Sequence, residues 1–225
     1  MNFSYEYLID EININSSKKV VGSKNSLLTY YIDRKTGESY IDRYFHSTEG
    51  YLINKNAIKI TSINDDIGYK LFIRNIFNKL DDIIDLDFKE MENNNGSMID
   101  IYSISFSSNF QDNVAGQVIT QESRIGNWFD ILWLSTSEKR LNDFDKNTII
   151  HEIGHSIGLS HPNDDPYDAR WTTSDTVMSY NSSKNGWDTW FSEQDINALL
   201  KIWGREDDLK TMTFSKELAH YKFFR

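Results

Sequence analysis

His151-Glu152-Ile153-Gly154-His155-Ser156-Ile157-Gly158-Leu159-Ser160-His161 brings three imidazoles, one carboxylate and a turn-permitting glycine, Gly158, into one short window. On a helix, at about 100° and 1.5 Å per residue, His155 stands roughly 40° round and about 6 Å along from His151, so both rings share a face and can share one metal ion. A continued helix would carry His161 about 9 Å beyond His155 and about 120° away from it. A zinc–nitrogen bond of about 2.0 to 2.1 Å does not span that gap, so the chain must bend after His155. Gly158 supplies the bend, because a residue without Cβ takes a positive φ at a helix end without strain. Pro162 then blocks helical continuation.

Three histidines fill only part of a tetrahedral zinc shell, and zinc with three protein ligands typically keeps its fourth position for water, as catalytic sites do. Glu152, next to His151 and slightly off the ligand face, is placed to take a proton from that water as general base and pass it to a leaving amine. With 5 histidines in 225 residues, a bare two-His, one-Glu pattern arises by chance in roughly one such chain in a hundred. Gly158 and His161 lower that figure by roughly several hundred-fold, so catalytic zinc outweighs a chance cluster on a buried helix. His46 and His220 have no partner at ligand spacing and are assigned surface or packing roles.

Met178 lies 17 residues beyond His161, in the apolar-polar turn Thr176-Val177-Met178-Ser179-Tyr180. The extended histidine motif and this methionine resemble the metzincin zinc peptidases, and within them the serralysin-type catalytic domain. There, proline follows the third histidine and tyrosine stands two positions past the methionine of the Met-turn. His161-Pro162 and Met178-Ser179-Tyr180 fit that pattern, whereas Asn163, where glycine is common, and Asn181, where an aromatic residue is common, depart from it. The resemblance covers roughly residues 27 to 204. It implies an α+β, zincin-like fold: a twisted five-stranded mixed sheet under two long helices, then a smaller irregular C-terminal lobe ending in a helix. It also implies that Met178 forms an apolar floor under the imidazoles, that Tyr180 reaches the metal or the oxyanion, and that an antiparallel edge strand borders the cleft. Secretion is implied in the same way.

Leu27-Leu28-Thr29-Tyr30-Tyr31-Ile32, aromatic and β-branched, reads as a first strand closed by an Asp-Arg-Lys-Thr-Gly turn. Ser62, with Asp65 three positions later, is a capping signal for a helix whose stripe Ile73, Ile76, Phe77, Leu80 and Ile84 follows helical period. Strands are expected at 86–91, 98–106 and 117–121, with Asn93-Asn94-Asn95-Gly96 as a turn, before a strongly apolar run at 128–134. Position in the chain makes 115–121 the candidate edge strand. A peptide could add to it as a further strand, and an ordinary solvated edge fits the sequence equally well. Asn163-Asp164-Asp165-Pro166-Tyr167-Asp168 could hold calcium through carboxylate and carbonyl oxygens, or be a solvated acidic run. Ser192 and Asp195 open a last helix, with Ile196, Leu199, Leu200 and Trp203 on one face and Gly204 as its stop.

Composition narrows the classes further. A chain of 225 residues with 39% hydrophobic and 14% aromatic content can bury a full core, which excludes a disordered chain. A net charge of -10 without a basic cluster argues against nucleic acid as a partner. The absence of cysteine excludes disulfides, thiolate ligands and a cysteine-based latency switch. No apolar run approaches the roughly 18 residues of a membrane span, and Met1-Asn2-Phe3-Ser4-Tyr5-Glu6 lacks the blocks of a secretory signal. No glycine-aspartate repeats follow Gly204. The expected division is a peripheral segment at 1–26, able to serve as a pro-segment, a catalytic domain at 27–204 with lobes 27–161 and 162–204, and a tail at 205–225.

The expected protein is thus a monomeric zinc endopeptidase acting on proteins or peptides. His151, His155 and His161 hold Zn2+, Glu152 activates water, and Tyr180 stabilises the tetrahedral oxyanion, with Gly158 and Met178 in support. Two alternatives stay open: a catalytically silent zinc-stabilised peptide-binding module, which Glu152 disfavours, and a latent form in which Asp10 or another early carboxylate takes the open zinc position. A ligand set ending in a distant glutamate is disfavoured by His161. Ser160 and Ser179 lack a base free of metal duty, which excludes serine nucleophiles at those positions.

Overall fold

The computed structural model describes residues 2–22, 26–64, 67–136 and 140–206. These form four α-helices, α1 (Glu11–Val21), α2 (Ile67–Asp81), α3 (Asp143–Ser156) and α4 (Glu193–Trp203). Seven strands accompany them: β1 (Leu27–Ile32), β2 (Gly37–Ser47), β3 (Gly50–Ser62), β4 (Asp87–Glu90), β5 (Ile99–Ser107), β6 (Gly116–Ser123) and β7 (Gly126–Leu134). The fold is α+β with one mixed sheet.

β5 is the centre of that sheet. β1 pairs with it in parallel through Tyr30↔Ile99 and Ile32↔Ile101, and β7 pairs in parallel along its other edge from Ile99↔Phe129 to Ile104↔Leu134. β4 adds in parallel beyond β1, and β6 adds antiparallel beyond β7, so the spatial order is β4-β1-β5-β7-β6. All five anticipated strands are in this set.

The sheet is nevertheless larger than the five strands expected, because β2 and β3 form a long antiparallel hairpin whose end pairs with β5 through Ile60↔Ser107. The reason lies on the face turned away from the helices. Ile104, Ile119 and Leu132 are apolar there, and Ile41, Ile58 and Ile60 of the hairpin cover them. The hairpin's outer side carries Glu38, Tyr40, Asp42 and His46, which hides its strand signal in a polar-looking run. The same pairing overrides the expected helix start. Ser62 is buried as the last residue of β3 and α2 begins at Ile67, while Asp65 lies outside the described residues. Ile84 falls beyond α2 and bridges Arg205.

The other sheet face carries the main core. Ile99, Ile101, Phe129, Ile131 and Trp133 meet Ile73, Ile76, Phe77 and Leu80 of α2, Ile149, Ile150 and Ile153 of α3, and Ala198, Leu199 and Ile202 of α4. Residues 1–26, expected at the periphery, contribute to this core as well. Leu8, Ile14, Val20 and Val21 are buried in it, and Ile9 bridges Leu159. Ile14, Ser17, Val20 and Val21 share one face of a short amphipathic helix whose other side is polar. α4 has the expected ends: Ser192 and Asp195 form a reciprocal capping box and Gly204 takes φ 89°. His220 and most of the expected tail lie outside the described residues, among which no helix is long and apolar enough to cross a membrane.

Candidate metal centre

α3 is anchored before it reaches the histidines. Asn142 caps it in a reciprocal box with Asp145, and Asp145 Oδ1 also accepts from Thr136 N at 3.1 Å and Thr136 Oγ1 at 2.7 Å, just past the end of β7. The helix stops at Ser156, Leu159 N donates to Gly154 O at 3.0 Å, and Gly158 takes φ +104°. That reversal returns His161 to the side of His151 and His155. His161 Nε2 stands 3.2 Å from Nε2 of each of the other two. Asn163, a departure from the glycine common in the resembled pattern, has φ 50°, a left-handed backbone that asparagine tolerates better than most residues.

The proton positions follow from the neighbours. His151 Nδ1 lies 2.9 Å from Val177 O and His155 Nδ1 lies 2.9 Å from Leu159 O. A carbonyl only accepts, so each Nδ1 carries its ring's proton and each Nε2 is bare toward the cluster. Burial, reinforced by the neighbouring rings, pushes His155 down to about 4 and His151 well below the usual range, and burial alone brings His161 to about 4. Three neutral imidazoles therefore bring their Nε2 atoms to one point, with those of His151 and His155 bare, a nitrogen donor set of the kind a zinc ion takes. Tetrahedral zinc with bonds of about 2.0 to 2.1 Å places its nitrogens roughly 3.3 to 3.4 Å apart, close to the observed spacing. Among the described residues this is the one group of three or more His, Asp or Glu whose ligand atoms lie within 4.8 Å of one another. The cluster could hold a metal ion, and its donors fit zinc.

Met178 is fully buried, and its Sδ sits 2.8 Å from where a Cβ on Gly154 of α3 would stand. Gly154 was not singled out in the sequence, although a mid-helix glycine costs about 1 kcal/mol and so calls for a packing reason. The turn that carries Met178 is tied to α4. Asp195, fully buried, accepts from Thr176 Oγ1 at 2.5 Å, Val177 N at 3.1 Å and Ser192 N at 2.7 Å. Its capping role was legible; its second role, holding the strand of backbone whose Val177 carbonyl orients His151, was not.

Glu152 is 5% exposed and lies against the edge strand. Burial pushes its carboxyl up to about 8, opposed by a hydrogen bond from the Val118 backbone N–H. Gly116 allows this approach, since a Cβ there would stand 2.5 Å from Glu152 Oε1 and 2.8 Å from Thr148 Cγ2. β6 thus borders the site, as expected of 115–121, with clefts of about 390 Å³ and 470 Å³ along it.

Tyr180 is 40% exposed, its ring 5.2 Å from that of His151 and 5.1 Å from that of His161. Burial, then the charge of Glu152, pushes its phenol up to about 12, so it keeps its proton at neutral pH. Tyr167, read in the sequence only as part of the acidic loop, packs edge-on against Tyr180 at 5.1 Å. Asn181 does not line the clefts: its Nδ2 donates to Asp168 O and Trp171 O, fastening the turn to the acidic loop. In that loop the Asp168 carboxylate is engaged by Arg170 at 2.5 Å and held down at about 2, which lends no support to calcium there. Asp10 accepts from Ile12 N as the cap of α1. Ser160 Oγ accepts from Asn13, and Ser179 Oγ donates to Trp171 O. His46 is exposed and packs on Tyr51.

No family model matches the chain. Among curated proteins it is similar to serralysin G of Dickeya chrysanthemi, with 31% identity over 102 aligned residues. The match covers 37% of this chain and 21% of that protein, so the chain spans about a fifth of the relative's length. The relationship is partial and metzincin-like at most.

Proposed function

We propose that the protein is a zinc-dependent endopeptidase, with His151, His155 and His161 as metal ligands, Glu152 as general base and Tyr180 as oxyanion donor. The observation that carries this reading is the meeting of three imidazole Nε2 atoms beside a buried carboxylate at an open sheet edge. Zinc held by these rings supplies Lewis-acid polarisation of a peptide carbonyl and brings the pKa of water toward about 7.

The chain's own groups account for the remaining steps. Glu152, whose carboxyl burial pushes up to about 8, would be lowered by a cation held at the imidazoles and so would serve as a base near pH 7. It takes the proton of the attacking water and returns it to the leaving nitrogen. Tyr180, protonated at neutral pH, donates to the oxygen on which charge develops. Main-chain groups of β6 offer a substrate peptide the pairing of an added strand. Met178, packed against Gly154 of α3, and Gly158, at the chain reversal, support the ligand set. An extracellular place of action follows from the resemblance stated above.

The test is Glu152→Gln, compared with wild type for zinc content and for casein or peptide hydrolysis. The variant is expected to keep one zinc per chain and to lose about 10²- to 10⁴-fold in rate. Undiminished hydrolysis by metal-loaded Glu152→Gln would falsify the base assignment, and a zinc-loaded wild type that cleaves no member of a peptide library would end the peptidase reading.

A further inference from the structure

α1 is built into the cleft. Ser160 N donates to Leu8 O at 3.0 Å, Tyr5 N donates to Gln194 Oε1 at 3.1 Å, and Phe3 meets Trp171 edge-on at 4.9 Å. These contacts hold the N-terminal segment against Ser160, next to His161, against Trp171 and against α4. Asn13 and Ser16 of α1 consequently form a wall of the 470 Å³ cleft that runs from His155 and His161 past Val118 and Thr120.

The chemistry of that wall is specific. Asn13 Nδ2 donates to Ser160 Oγ at 2.7 Å, which fixes the amide and leaves Oδ1 without a partner among the described residues. The Ser16 hydroxyl donates to Ile12 O at 3.0 Å, so its oxygen has lone pairs to spare. Both groups offer acceptors. The one acidic or basic side chain apart from histidine and tyrosine that lines this cleft is Glu152, so a carboxylate guest, itself only an acceptor, meets acceptors on this wall and no cationic side chain.

We infer that α1 supplies a substrate subsite, in which Asn13 and Ser16 select a hydrogen-bond-donating side chain on the N-terminal side of the scissile bond and reject Asp and Glu. The inference rests on the peptidase reading. Direction follows from β6, which runs from Gly116, beside Glu152, toward Glu122, whose carboxylate lies 3.7 Å from Lys19 Nζ of α1. A peptide pairing antiparallel, the more stable arrangement, travels the other way and passes α1 before it reaches Glu152.

The experiment uses the full zinc-loaded chain and matched peptides bearing Gln, Ala or Glu at each position preceding the cleaved bond. Gln is expected to exceed Ala by about 3- to 10-fold in kcat/KM at one of these positions, with Glu lowest. Ser16→Ala and Asn13→Leu should each collapse that order. Ser16→Ala leaves the Asn13–Ser160 bond intact, so it reads the subsite even if Asn13→Leu folds poorly. The same peptides are titrated by calorimetry into the Glu152→Gln protein with and without Ser16→Ala, where the Gln peptide should bind about 3- to 10-fold tighter than the Ala peptide only while Ser16 is present. Cleavage with no such preference, or a preference that both variants leave unmoved, overturns the subsite alone. Selective binding without cleavage of any peptide supports the subsite and overturns the peptidase reading.

Discussion

Asp195→Ala should weaken zinc binding although residue 195 touches no ligand. The carboxylate accepts from Val177 N and Ser192 N through Oδ2 and from the Thr176 hydroxyl through Oδ1, in a fully buried position. Alanine strands the two amides, which cannot redirect, at about 1–3 kcal/mol each, while the hydroxyl can turn elsewhere. A midpoint of about 4 kcal/mol corresponds to a fall in Tm of about 8–16 °C for a domain of this size. Released from α4, the Val177 carbonyl no longer fixes the His151 ring through Nδ1, and loss of such an orienting partner typically costs about 10- to 100-fold in metal affinity. Asp195→Asn tests the geometry more finely. Its oxygen can keep both amide bonds while its Nδ2 faces Thr176 Oγ1, which can accept, so most of the stability and affinity should return. Thermal unfolding and zinc competition against a chelator measure both quantities. If Asp195→Ala melts at a reduced temperature yet binds zinc as tightly as wild type, the link from α4 through Val177 to His151 is wrong.

Gly116→Ala places a Cβ 2.5 Å from Glu152 Oε1, so kcat should fall at least about 10-fold with zinc content unchanged; equal turnover in the two proteins would show that the carboxylate has another working position. Removing metal with a chelator should lower Tm, and zinc restored at about 1,000 times its Kd should stabilise by about 4 kcal/mol, or about 8–16 °C, which calorimetry reads directly. His151→Ala should abolish that response. Asp100 and Asp130 are register partners on β5 and β7, raised by burial to about 8 and about 6, with Ser97 bonded to the first and Gln121 to the second. Folded pKa values above the unfolded ones mean that their contribution is fully present below about pH 4 and is lost as pH rises through about 6 for Asp130 and about 8 for Asp100. Asp100→Asn should therefore flatten the stability-pH curve between about pH 4 and 8 by up to one proton, about 1.4 kcal/mol per pH unit, as followed by urea unfolding. An unaltered slope would mean that Asp100 ionises in the folded protein as it does in the unfolded chain.

Much of the candidate site is local in the chain, and it was legible for that reason. The four-residue step from His151 to His155 sets two rings on one helical face, and a left-handed glycine at 158 is the shortest way to return a third. The ends of α4 and the five strands β1, β4, β5, β6 and β7 likewise depend on neighbours within a few residues, through caps, turns and alternation. The β2-β3 hairpin was missed because its outer face is polar, and the need for it arises only once Ile104, Ile119 and Leu132 come together on a face that lacks helices. α1 was placed at the periphery because its composition is polar, while its stripe acquires a purpose only against α3 and β7.

Gly116, Val118, Tyr167 and the second role of Asp195 belong to the same class. Each acts on a residue at least 13 positions away, across an interface created by folding. Sequence by itself determined which side chains are available to a metal and how the backbone turns to gather them, since bond geometry over a few residues suffices. Tertiary structure decided which strand edge lies open beside Glu152, which helix walls the cleft and which carbonyl orients His151, because those pairings depend on which apolar faces remain uncovered when the rest of the chain has packed.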